Sequence, residues 1–380
     1  MNSPLSQFKG ERLKQARLLR MLTGTELALL ISDKKVIKQQ QISYWESNRR
    51  VPNFEEIQKL SAVLKVPYYF FLKGDSRSNV DTANFFRRSA AVPTKNRNSM
   101  QELVFLYSSF FKVIGRYIKL PDFKDNDLVI SSHEFRLVDV DEIDELAKSI
   151  RRRYHLGIGP ISNVTLLMEK MGVRVIFTNE DIAGIDALTK VVDNQFYVII
   201  NTKGKSAVRI RFSLAHELGH VFLHSRYSES ILKSSEKNKR VESEAQMFAS
   251  LFLMPEEGIL MDMVATNLEF LKSLKSHWLV SIQALAIRGK QIGLLTQSEM
   301  THVFQQISRN GWRKKEPLDD TISIEFPTFI KTVLEYLNSE GISVDDALYQ
   351  EGLSFDFLNS LFSAIQISEI KEKGPNLKLL

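Results

Sequence analysis

The sequence predicts a mainly α-helical protein with one small α+β core. Three observations carry this. Apolar residues recur at helical spacing through residues 8–72 and again from Leu268 onward. Only three short stretches, 173–177, 185–192 and 195–201, read as strands. Those strands are bracketed on both sides by helical patterns, which is an α+β arrangement rather than a separate sheet domain. The 380 residues suggest two or three domains at ~100–200 residues each. A composition of 43% hydrophobic and 25% charged residues is that of a folded globular chain, not a disordered one.

The elements follow in order. Leu13, Ala16, Leu19 and Leu22 mark one apolar helix face. Thr23-Gly24-Thr25-Glu26 is a capping box that opens the next helix, and Asn53-Phe54-Glu55-Glu56 opens another with Ile57, Leu60 and Leu64 facing inward. Asp75–Ser99 is polar, basic and aperiodic, a linker with a short helix around Phe85. Met100–Lys119 is an aromatic-rich helix ended by Pro121; Asp141–His155 and Asn163–Met171 are two more, the second capped by Gly172. After the strands come a helix from Ser206 to His224, a polar loop Ser225–Lys239 and a helix Val241–Met254 stopped by Pro255. From Leu268 onward all is helical, with breaks at Gly293, 311–317, Gly341 and Gly352.

Several classes are excluded. Without cysteine there is no disulfide framework, thiolate zinc site or cysteine nucleophile. No apolar run approaches the ~18 residues that span a bilayer, and Met1–Lys9 does not read as a signal peptide, so a cytoplasmic protein without membrane partners is expected. The net charge of +6 is localised: residues 1–75 hold 13 Lys/Arg against 7 Asp/Glu, and the remainder holds 38 of each sign. An anionic partner is therefore expected for that first part alone.

The sharpest chemical signal is His216-Glu217-Leu218-Gly219-His220. Two His at i and i+4 share a helix face and can hold one metal ion between their rings; imidazole nitrogens suit zinc. Glu217, one residue along, sits beside such an ion and can take a proton from the attacking water and give it to a leaving amine. A zinc enzyme needs a third protein ligand. His224 is i+8 from His216, which carries it ~12 Å along the axis, so a helix-end role is expected. The other source is the helix beginning at Val241, where Glu242 and Glu244 point to different sides. Phe248 and Leu251 lie four and seven residues beyond Glu244, which places Glu244 on the buried stripe. A buried carboxylate needs a cation, so Glu244 is the expected ligand, and one zinc ion per chain is expected.

Arg211 through His220, followed by Glu244-Ala245, Phe248-Ala249 and Leu253-Met254-Pro255, resembles the ImmA/IrrE family of zinc metallopeptidases, over roughly residues 140–260. The resemblance implies a gluzincin-like α+β fold with a Glu as third ligand, matched to Glu244, and a helix-turn-helix repressor as protein substrate. Residues 8–72 resemble the Xre, lambda-repressor-like helix-turn-helix domain through Leu13, Arg17, Leu27-Ala28, Ile42-Ser43-Tyr44-Trp45-Glu46, Pro52, Leu60, Val66-Pro67 and Phe70-Phe71. That family places the second helix of its motif in the major groove of double-stranded operator DNA, usually as a homodimer. Here the helix starts near Lys38. Ile42 and Trp45 face inward, leaving Gln39, Gln40, Ser43 and Tyr44 to face the bases, where Gln can bridge adenine N6 and N7. Arg49 and Arg50 fit phosphate contacts. The sequence departs from the pattern at Ser32–Ile37, which lengthens the turn, and at Gly24, where a phosphate-contacting Gln is common.

The expected organisation is a DNA-binding domain at 1–75, a linker and helical connector at 76–139, a peptidase domain at 140–260 and a helical C-terminal domain at 261–380. Segments around Trp278–Leu294 and Gly311–Pro317 resemble parts found behind the peptidase core in fused Xre–ImmA/IrrE proteins. Two functions compete. One is a transcriptional regulator with a working zinc peptidase that cuts a repressor or its own linker. The other is a DNA-binding regulator whose peptidase-like domain senses or scaffolds without catalysis.

Overall fold

The computed structural model describes residues 7–362 apart from 34–35, 74–83, 89–92, 181, 183, 229–230 and 233, with 84–88 described by their backbone. The chain forms two compact units. One gathers residues 1–75, 112–117 and 328 onward; the other gathers 76–111 and 118–327.

The first unit starts with α1 (Gly10–Leu19), α2 (Gly24–Ile31), α3 (Gln39–Glu46) and α4 (Phe54–Leu64), then a 3-10 turn at Tyr68–Leu72. The expected capping box of Thr23 with Glu26 is present, and the expected helix start at Asn53 carries a second one, with Glu56. Leu13, Ala16, Leu27, Ile42, Trp45, Leu60 and Phe70 are buried together in this small unit. Arg17 grips Glu46 through two bonds of 2.6 and 2.9 Å, tying α1 to α3. A Cβ on Gly10 would lie 2.2 Å from the Trp45 carbonyl, so only glycine lets α1 start against the end of α3. Asn53→Ala is expected to lower the stability of this unit by about 1 kcal/mol, the usual loss for an N-cap, as read by urea unfolding.

The expected single C-terminal domain at 261–380 is divided between the units. Helices at Phe329–Ser339, Asp345–Gln350 and Phe355–Leu361 pack with the helix-turn-helix part. Phe357 meets Phe70 edge-on at 5.5 Å, Tyr349 meets Tyr69 at 4.7 Å, and buried Arg12 donates to the Glu351 carbonyl at 3.0 Å. Their amphipathic faces are covered by residues 1–75, a pairing that helical periodicity does not reveal.

The second unit contains β1 (Asn84–Arg88), α5 (Thr94–Ile114) as far as residue 111, α6 (Val140–Arg153), α7 (Val164–Met171), β2 (Arg174–Thr178), β3 (Ile185–Val192), β4 (Gln195–Asn201), α8 (Ala207–His224) and α9 (Ser235–Leu253). The sheet order is β1-β3-β4-β2, with β2 parallel to β4 and the other pairs antiparallel. Asp193 and Asn194 both take positive φ, the two-residue turn that suits a β3–β4 hairpin. One sheet face, with Phe177, Ala187 and Val198, shares a core with Leu214 and Leu218 of α8. The other meets α5: Arg174 lies over Phe111, Lys190 over Phe105, and Tyr197 against Phe111. Phe85, expected in a short helix, lies in strand β1, since the edge of β3 offers backbone partners that a five-residue helix lacks. Helix α9 begins at Ser235, six residues before the expected start, behind an N-cap at Ser234.

The helices Leu268–Trp278, Ile282–Gln291 and Gln297–Arg309 complete this unit; Leu271, Trp278, Leu285 and Ile307 join the core that holds Phe248. Fully buried Lys275 is held by Glu316 at 3.0 Å and Asp319 at 2.6 Å. Among the described residues no helix is long and apolar enough to cross a membrane.

Candidate metal centre

Helix α8 lies between the sheet and α9, so it is buried almost all round. His216, Glu217, His220 and His224 are each at most 2% exposed. The close crossing of α8 and α9 depends on Gly219. A Cβ there would meet Phe248 at 3.1 Å and the Cα of Ala245 at 3.2 Å. Because Ala245 sits over Gly219, the residue one turn earlier on α9, Glu242, is brought over the two His.

The Nε2 atoms of His216 and His220 lie 3.1 Å apart. Glu242 places one carboxylate oxygen 3.3 Å from the first and the other 3.7 Å from the second. Donor atoms of His216, Glu217 and His220 all fall within 4.8 Å of one another. Glu217 accepts a 2.6 Å hydrogen bond from the Thr189 hydroxyl of β3, which fixes its carboxylate on the sheet side of α8.

Glu244, the expected third ligand, is not at the His pair. It is 2% exposed and is contacted by His224 Nε2 at 3.1 Å, Arg240 Nε at 3.1 Å and the Val138 amide at 3.2 Å. The premise that a buried carboxylate needs a cation holds, but the cation is Arg240. Glu242 keeps 25% of its side chain exposed.

His224 carries the structure of this centre one turn further. Its Nδ1 lies 3.0 Å from His220 Nδ1. Burial, the largest influence, pushes the His224 pKa below its ordinary value, while Glu244 opposes this. A neutral His224 donates from Nε2 to Glu244 and accepts at Nδ1 from His220. In that tautomer His220 turns the lone pair of its Nε2 toward His216 Nε2 and Glu242. Two imidazole nitrogens and one carboxylate converging on one point are a donor set that zinc fits.

In the first unit, Gln39, Gln40 and Ser43 are exposed on α3, and Tyr44 is half-buried while Ile42 and Trp45 are inside. Gln40 donates to the Tyr44 hydroxyl at 2.8 Å, and the Arg50 guanidinium lies 5.3 Å from the Tyr44 ring. Arg49 and Arg50 are exposed just beyond the helix. The lengthened turn is anchored by Ser32, whose hydroxyl accepts from the Ile37 amide at 2.9 Å and donates to the Ala28 carbonyl at 2.7 Å.

Residues 13–71 match the helix-turn-helix family model, and residues 168–290 match that of the IrrE N-terminal-like domain, a metallopeptidase family. The chain therefore carries one match to each of these two families. No curated protein matches it. The IrrE-like match runs past Met254 to residue 290, in keeping with the helices at Leu268–Trp278 and Ile282–Gln291 sharing its core. A cavity of about 520 Å³ opens between α8 and α9, lined among others by Phe212, Ser213, Ser243, Gln246, Met247 and Gln291; none of His216, His220 and Glu242 lines it. Sequence reasoning missed Thr189, since no local pattern marks a strand threonine as the partner of a helix glutamate. Glu242 had a signal: it stands three residues before Ala245, the small residue that the crossing at Gly219 requires.

Proposed function

We propose that this chain is a DNA-binding transcriptional regulator whose IrrE-like domain is a zinc endopeptidase. The observation that carries the reading is the convergence of His216, His220 and Glu242 at 3.1–3.7 Å, with Glu217 held alongside by Thr189. His216, His220 and Glu242 hold the metal. When bound, zinc supplies a Lewis acid that lowers the pKa of water toward ~7. Glu217 takes the proton from the attacking water and returns it to the leaving amine; its burial away from bulk solvent strengthens that proton transfer. The cavity lined by Phe212 and Met247 gives an apolar substrate side chain a place to sit.

The substrate in this reading is a polypeptide, either a helix-turn-helix repressor or this chain itself. The DNA partner is a double-stranded operator bound by a homodimer, with Gln39, Gln40, Ser43 and Tyr44 toward the bases and Arg49 and Arg50 toward phosphates. The reading is tested by loading the purified chain with zinc, removing the metal with chelator, and following cleavage of the repressors encoded beside its target promoters. Cleavage that stops with chelator and returns with zinc supports it; none in any state removes it.

Two results are expected for DNA. Arg50→Ala lowers affinity for every sequence alike and reduces the salt dependence by about one unit of slope. Gln39→Ala instead relaxes preference at one base pair, by about 1–3 kcal/mol of discrimination. Binding measured against a panel of single-base operator variants at two salt concentrations separates them.

A further inference from the structure

The strand β1 occupies an unusual place for a linker. It pairs antiparallel with β3, from Asn84 opposite Lys190 to Arg87 opposite Ala187, with an irregularity before Arg88. Phe85 stands directly opposite Thr189, the residue whose hydroxyl holds Glu217. Strand spacing puts the linker main chain about 4.8 Å from β3 at that point, and β1 also approaches α8. The rest of the sheet does not depend on it: β3, β4 and β2 pair among themselves, with α8 and α5 on the two faces.

A peptidase must receive its substrate as extended main chain, and an open strand edge supplies a row of N–H and C=O groups that binds such a chain whatever its side chains. The edge nearest Glu217 is that of β3, and here the chain's own residues 84–88 already hold it. We infer that the 84–88 strand is a built-in occupant of the substrate edge, and that an incoming polypeptide must displace it to reach Glu217. The inference rests on the peptidase reading for the meaning of that edge. Only residues 89–93 separate the strand from α5, so it is presented to β3 at the millimolar effective concentration typical of a short tether. A free peptide competes against that concentration, which makes resting activity low and the strand's release the controlling event.

The test uses the zinc-loaded full-length chain and a fluorescent peptide with the sequence of residues 80–92. Binding is read by anisotropy in a Glu217→Gln background, where nothing is cut. Phe85→Pro together with Phe86→Pro removes whichever amide faces β3 and disfavours the paired strand, while leaving β3, β4 and β2 intact. The expected result is that the proline variant binds the peptide about tenfold or more tightly than its parent. Equal binding by the two, or binding by neither, overturns the inference. The same pair with Glu217 intact is then assayed for cutting. Binding gained without cutting supports the occupied edge and removes the peptidase reading, so the two failures are distinct. Cutting within 84–88 by the unmodified chain overturns the inference, because the strand would then be a substrate rather than a resident.

Discussion

Glu217→Gln is expected to bind zinc and DNA like the parent and to lose cleavage by about 10²–10⁴-fold, the usual worth of a positioned proton acceptor. The amide has the carboxylate's size, and its carbonyl can still accept the Thr189 hydroxyl that now sits 2.6 Å from Glu217. His216, His220 and Glu242 are untouched, so the metal donors survive. What is lost is the capacity to take a proton from water. Metal content by mass spectrometry, operator binding, and the fate of a co-expressed repressor with its transcript are measured in both proteins. Identical regulation by parent and variant would show the chemistry to be idle, and the domain would then act as a sensor or scaffold.

The second large effect separates two glutamates that stand two residues apart. Glu242→Ala is expected to reduce zinc affinity by more than ~100-fold, because it deletes a direct donor. Glu244→Ala is expected to fall within ~10–100-fold, the range for an outer partner that orients a ligand. Its loss frees His224 to turn and so loosens the tautomer of His220. Glu244→Ala should also destabilise the metal-free protein by about 1–3 kcal/mol, since Arg240, His224 and the Val138 amide all lose an acceptor. Glu242, at the open flank of α9, carries no such burden. Chelator competition gives the affinities, and thermal unfolding of the metal-free variants gives the stabilities. A reversed order in the first measurement would return the third ligand to Glu244.

Much of this was legible in the residues because it is local. The capping box at Thr23, the helix start at Asn53, the glycine cap at Gly172, the three strands and the His216–His220 pair each follow from chemistry within one or two helical turns. What the sequence hid is set between elements. The third donor depends on which face of α9 crosses α8, and that is decided by Gly219 against Ala245 rather than by the stripe through Glu244 and Phe248. The partner of Glu217 comes from a strand 28 residues earlier. Strand β1 reads as linker because NFFRR has no alternation of its own; its structure is borrowed from the β3 edge.

The helices after residue 328 have a consequence for how the molecule is made. Phe70, with no exposed surface in the finished protein, is covered in part by Phe357, and Arg12 finds an acceptor at Glu351. At ~5–20 residues per second, a ribosome takes roughly 15–60 s to travel from residue 75 to residue 361. Throughout that interval the DNA-binding unit waits with part of its interior open to water. A message that ends early, or a tail trimmed by a cellular protease, leaves Phe70 without Phe357 and Arg12 without its acceptor at Glu351. By the same contacts, a nick anywhere in the linker does not set residues 1–75 adrift: they remain docked on the helices between 329 and 361.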